Sequence, residues 1–148
     1  MAKRKSKSRK SSLRVALRDE RVPKMLGVLF LFFAVYLFVA FASYLFTWHV
    51  DQDSIMRFSW EILLHGELEM ANWLGRLGAM VSNMFFYWGF GFPSFGLVFM
   101  LGLAGNALIR GIPLNRHYGV LRNILIAMLI ASVFLEFLFY KASFPWGG

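Results

Sequence analysis

Three histidines, eight carboxylates and no cysteine are the groups from which these 148 residues could build a reactive site. Without cysteine there are no disulfides, no thiol nucleophiles and no thiolate metal sites. His49, His65 and His117 sit in separate polar segments, and no two have the i, i+4 spacing that places paired imidazoles on one helix face around zinc. Each reads as a solvated side chain. No G-x-x-x-x-G-K-[ST] occurs, so the chain holds no phosphate cradle of that type. "GFGFPSFG" at residues 89–96 fails G-x-G-x-x-G and lies in an apolar run with no strand before it. Glu136 is the sole acid of a long apolar run, and an intramembrane carboxylate is a functional candidate by default. It stands about one turn from Tyr140 and Lys141, so an interfacial ion pair is the plainer reading. The sequence therefore offers no catalytic, cofactor-binding or metal-ligating residue, and its candidate sites are those of packing and membrane contact.

The elements that would position such sites are apolar helices. The chain is 58% hydrophobic with 17 Phe. Residues 25–48, "MLGVLFLFFAVYLFVAFASYLFTW", carry no charge. A helix crosses a ~30 Å hydrocarbon core with about 20 apolar residues, whereas a buried helix of a soluble protein rarely lacks a polar face for that length. A cleaved signal peptide would be shorter and followed by a small-residue site, which "TWHVDQD" does not supply. This run is the first predicted span.

Charge orients it. Residues 1–24 hold 10 of the 16 Lys and Arg against two acids, and the remaining 124 residues sum to zero. Basic segments beside a span stay in the cytoplasm, so the N-terminus is expected inside. Lys3, Arg4, Lys5, Lys7, Arg9, Lys10, Arg14 and Arg18 are the membrane-surface candidates. Anionic lipid headgroups are their expected partner. DNA phosphate is the alternative, but the tail has no aromatic residue to stack on bases. "SSLRVALRDERV" from Ser12 predicts a short helix with Ser12 as its cap. Residues 49–71 carry five acids and one Arg, which suits the outer side. Asp53 or Ser54 is expected to cap a short interfacial helix with Ile55, Phe58, Ile62 and Leu63 on one face. Trp48, Trp60 and Trp73 fit a headgroup-level aromatic belt.

Residues 72–111 pose a length problem. A continuous helix over the apolar part would be ~55 Å long, nearly twice the core thickness. Either the 89–93 break is an inner turn between two short spans, or residues 73–88 lie in or dip into the outer leaflet and 91–109 cross inward. The second arrangement puts Arg110, Arg116 and Arg122 inside and leaves Arg76 at an interface, and both are favoured. Gly75, Gly78, Ala79 and Ser82 then form a small-residue stripe for close helix approach, with Gly89 and Gly91 beside the break. Such a stripe serves packing within the chain or contact in a homo-oligomer. Gly96, Gly102 and Gly105 are a second set. Residues 119–140 complete the spans, with Arg122 reaching inward. The expected fold is all-α: a basic cytoplasmic tail over 1–24 and a multispanning membrane domain over 25–148. That domain has about three crossings, at 25–48, 91–109 and 119–140, plus interfacial helices, one of them interfacial or re-entrant at about 73–88. The ending "KASFPWGG" suggests a fragment.

The order and spacing of several of these elements resemble the N-terminal membrane domain of the FtsK/SpoIIIE DNA translocases. The resemblance is carried by Leu17–Glu20 before the first span and by Asp51-Gln52-Asp53 after it. It continues through "NWLGRLGA" at residues 72–79 and the glycine-aromatic link at 89–95. It implies four membrane spans, a linker and a C-terminal ring motor that pumps double-stranded DNA. It also implies a membrane domain that anchors the motor at the septum, aids oligomerisation and contacts other division proteins. ATP and magnesium would belong to that motor, and DNA would be a partner only through it. Here no motor follows and three crossings are expected, so anchoring and assembly at the bacterial inner membrane carry over, not ATP hydrolysis. The competing reading is a small complete membrane protein, such as a transporter subunit or an accessory factor.

Overall fold

The computed structural model describes residues 21–56 and 70–148. Regular structure among them is entirely helical: α1 (Arg21–Met56), α2 (Gly75–Phe86), α3 (Phe95–Ile109) and α4 (Tyr118–Phe139). Short 3₁₀ turns occupy Phe92–Ser94 and Leu114–His117. Three stretches are long and apolar enough to cross a bilayer, Arg21–Asp51, Phe92–Ile109 and Leu114–Phe139. α2 has 12 residues, or ~18 Å at 1.5 Å per residue, well short of a hydrocarbon core. The chain is an all-α multispanning membrane domain.

α1 is buried along a narrow seam. Gly27, Ala34, Leu37, Phe41, Tyr44, Trp48 and Asp51 are all buried and follow one another at steps of seven, three and four. That is the a/d pattern of helices packed side by side. Phe32, Phe33, Val35 and Val50 stay exposed on the other faces, as lipid-facing residues do. The seam also explains why α1 runs past Trp48. The short helix expected to start at Asp53 or Ser54 is not separate, because both residues lie inside α1. The helix continues because Asp51 still faces protein. Ile55 falls within α1 as well, and Phe58, Trp60, Ile62 and Leu63 lie outside the described residues.

α3 runs antiparallel to the first half of α1. Gly105 and Ile109 lie against Gly27, while Phe95 meets Phe38 and Phe41 at ring-centroid distances of 6.2 and 5.6 Å. The loop after α3 therefore shares an end of the molecule with Arg21 and Lys24. α3 closes with the N–H of Ile112 on the Ala107 carbonyl (2.8 Å) and that of Gly111 on the Leu108 carbonyl (3.2 Å). This is a Schellman cap, and Gly111 takes the left-handed φ of 68° that it requires. Pro113 follows and prevents the helix from resuming. α4 returns along α3, with Met128 and Ile124 packed against Gly96.

The second half of α1 has other neighbours. The two ends of α2 rest on the same stretch of it: Asn72 bonds to Ala40 and Asp51, and Asn83 and Phe86 meet Tyr44. α2 thus crosses α1 instead of running its length. Phe144, beyond α4, folds back to pack on Trp48, Phe86 and Tyr44 at 5.4, 5.9 and 6.3 Å.

Candidate functional site

The polar centre of the molecule is the joint where the chain enters α2. Four successive backbone N–H groups ahead of that helix have no carbonyl of their own to reach. Asp51 accepts two of them, from Ala71 (2.7 Å, Oδ1) and Asn72 (3.1 Å, Oδ2). Ser43 Oγ accepts the N–H of Trp73 (2.9 Å). Asn72 Oδ1 accepts that of Leu74 (3.0 Å), while Asn72 Nδ2 donates to the Ala40 carbonyl (3.1 Å). Asp51, Asn72 and Ser43 are 1, 3 and 0% exposed. An unmet N–H in an apolar setting costs several kcal/mol, so these side chains make it possible for irregular backbone to lie against a membrane helix. One turn deeper, the Tyr44 hydroxyl donates to Asn83 Oδ1 (3.2 Å), and Phe41, Phe85, Phe86 and Phe95 pack edge-on around it.

The break between α2 and α3 is similarly satisfied. The Phe85 carbonyl accepts the Phe90 N–H (2.9 Å) and the Ser94 hydroxyl (2.7 Å). The C-terminal segment then seals the turn: the Trp146 carbonyl accepts the Phe92 N–H (2.9 Å), and the Gly147 carbonyl accepts from Ser132 Oγ on α4.

Against this geometry the predicted packing residues separate. Gly78, Ala79 and Ser82 are buried on the face that α2 turns to the rest of the chain. A side chain at Gly78 would collide with Asn72 Oδ1 and Leu74 Cβ. Gly75 differs: it holds a φ of 63°, and an added Cβ would meet nothing within 4 Å. Its role is conformational, at the turn where its N–H bonds the Asn72 carbonyl (2.7 Å). A Cβ on Gly89 would meet the Phe85 carbonyl at 2.6 Å. Gly91 is buried with a φ of 64°, and the Trp146 carbonyl occupies the space a Cβ would need. Lys3, Arg4, Lys5, Lys7, Arg9, Lys10, Arg14, Arg18 and the helix expected from Ser12 lie outside the described residues.

Two expectations are corrected by contacts. Trp48 is 8% exposed and packs on Phe144, so it belongs to the core and not to a belt. Trp73 is 65% exposed and stacks on Phe46. Glu136 forms no ion pair among the described residues. Lys141 instead sits over the Tyr140 ring at 5.4 Å, and the backbone of Gly147 presses against Glu136 Cβ. No group of three His, Asp or Glu that could hold a metal occurs among the described residues.

The clamp joins the two segments that carried the sequence resemblance, Asp51 from one and Asn72 from the other. A family model described as the 4TM region of DNA translocase FtsK/SpoIIIE matches residues 19–148. The chain belongs to this family. The match takes in α1 to α4, the clamp and the C-terminal segment of this FtsK/SpoIIIE membrane region, and no motor domain is matched. No curated protein and no solved structure matches the chain.

The FtsK/SpoIIIE assignment gives the missed residues a setting. Ser43 and Asp51 look incidental in the sequence, yet both lie on the buried side of α1, Asp51 seven residues after Tyr44 in the seam. Gly27, also in that register, was the other available signal: it lets α3 come within backbone contact.

Proposed function

We propose that this chain is the membrane anchor and assembly domain of a septal DNA translocase, coupling chromosome segregation to cell division at the bacterial inner membrane. The family match over residues 19–148 carries this reading. It is supported by a fold whose buried polar groups serve backbone joints, not chemistry. The chain itself hydrolyses no ATP; nucleotide, magnesium and DNA belong to a motor outside these residues. The N-terminus and the loop at 110–117 face the cytoplasm. Charge supports that orientation: Arg21 and Lys24 share one end of the fold with Arg110 and Arg116, and the basic tail adjoins them. In this orientation the tail rests on anionic headgroups, and the clamp sits in the outer leaflet. The domain's partners are the lipid bilayer, further copies of itself and other membrane proteins of the division site.

The decisive experiment places the fluorescently tagged chain in dividing cells and images it. A band at midcell is expected; uniform membrane fluorescence through the cycle would remove the septal role. Orientation is read with single cysteines on this cysteine-free background. Cysteines at Ser6 and Asn115 should resist an impermeant thiol reagent in intact cells, and one at Ser59 should react. Labelling at Asn115 would reverse the arrangement.

A further inference from the structure

α3 carries three glycines, and the fold uses two. Gly105 lets α1 approach so closely that an added Cβ would meet the Gly27 carbonyl at 2.8 Å, and Gly96 accepts the Met128 side chain from α4. Gly102 stands between them in sequence, yet a Cβ there would meet nothing within 4 Å. It opens on a groove of about 470 Å³ between α1 and α3, lined by Ala34, Phe38, Phe99, Leu103 and Asn106. Phe99 is 72% exposed at its edge.

Asn106 makes the groove more than an empty notch. Its side chain is exposed within the Phe92–Ile109 span and has no hydrogen-bond partner among the described residues. It lies one turn from the end of α3, but helical side chains tilt toward the helix N-terminus. The amide therefore leans into the membrane and cannot reach the nearby headgroups as a long side chain would. Carboxamides in such positions bond across helices.

From this we infer that the groove is the contact between two copies of the chain, crossing at Gly102 and joined by an Asn106–Asn106 pair. An amide offers both a donor and an acceptor, so it can satisfy an identical amide. A two-fold axis along the membrane normal brings each residue to its own counterpart at equal depth. Phe99, three residues from Gly102 and seven from Asn106, lies on the same face of α3 and packs across the crossing. The α2 stripe does not compete for this role, because Gly78, Ala79 and Ser82 are buried within the chain. The proposal rests on the assembly part of the reading above and names its surface.

The test uses the full chain in phosphatidylethanolamine–phosphatidylglycerol vesicles. Phe99→Cys and Asn106→Cys should give disulfide-linked dimers on mild oxidation, and Val133→Cys on the exposed face of α4 should not. Gly102→Leu and Asn106→Leu should each reduce the dimer fraction at least tenfold by energy transfer between labelled copies. Asn106→Gln should retain most of it. The Gly102→Leu monomer should melt as the parent does in dilute detergent, since nothing within the chain touches that position. Crosslinking at Val133 in preference to Phe99, unchanged dimers in Gly102→Leu, or a chain monomeric at every lipid ratio would each overturn the proposal. So would a lowered melting temperature of the Gly102→Leu monomer, which would mean that the chain's own segments fill the groove. Loss of septal localisation with dimers intact would leave this contact standing and dismiss only the septal reading.

Discussion

The two halves of α1 are held by opposite means. In the first half, α3 packs by removal of side chains: Gly27 and Gly105 let two backbones touch, with no printed polar side-chain bond between them. In the second half, α2 and the C-terminal segment pack by addition: Phe41, Tyr44, Trp48, Phe86 and Phe144 fill the space, and Asp51, Ser43 and Asn72 answer the backbone. The difference follows from the partner's conformation. A regular helix satisfies its own N–H groups and asks only for proximity. A broken chain brings unmet donors, and side chains must supply the acceptors.

This contrast predicts where substitutions hurt most. Asp51→Ala leaves the N–H groups of Ala71 and Asn72 without acceptors, at ~1–3 kcal/mol each. It should give the largest loss in a mixed-micelle unfolding titration, with Asp51→Asn intermediate because an amide presents one acceptor in place of two. A loss below that of the glycine change would show that water already serves those groups. Next comes Gly105→Ala, whose methyl would press on the backbone of Gly27, which cannot rotate away as a side chain can. Overpacking of this sort costs ~1–3 kcal/mol. Gly102→Ala, in the same helix but free of neighbours, should instead gain ~1 kcal/mol from helix propensity. Equal effects at the two glycines in dilute detergent would erase the claimed difference between them. Smallest is Tyr44→Phe, which removes one hydrogen bond to Asn83 and should cost ~0.6 kcal/mol, the mean for such bonds in membrane helices. A larger value would mark the Tyr44–Asn83 bond as part of the clamp and not merely adjacent to it.

What the sequence revealed tracks this same division. Length and apolarity located the three spanning helices, and α2 within the 73–88 stretch, to within a few residues at most ends, because those properties are local. The charge pattern anticipated that the loop after α3 would share an end with the basic N-terminus. The joints were illegible. Asp51 in "HVDQD" reads as an outer-surface acid, and nothing nearby in sequence shows that its partners are the N–H groups of residues 71 and 72. Glycines were visible but not sortable. Gly75 serves a turn, Gly78 a tight contact, Gly105 a helix crossing, and one-dimensional spacing gives all three the same signature. Trp48 was assigned to the surface by composition, and only the return of Phe144 explains its burial.

That return also sets an order of events during synthesis. The clamp joins residues 21 apart, so at 5–20 residues per second Asn72 follows Asp51 within roughly 1–4 s. Phe144 emerges about a hundred residues after Tyr44, roughly 5–20 s later. For that interval the aromatic wall of α1 stands finished on one side and open on the other. The nascent domain therefore exists for seconds as a closed joint beside an uncovered Trp48–Phe86 surface, a form on which an insertion factor or chaperone could act before the last residues cover it.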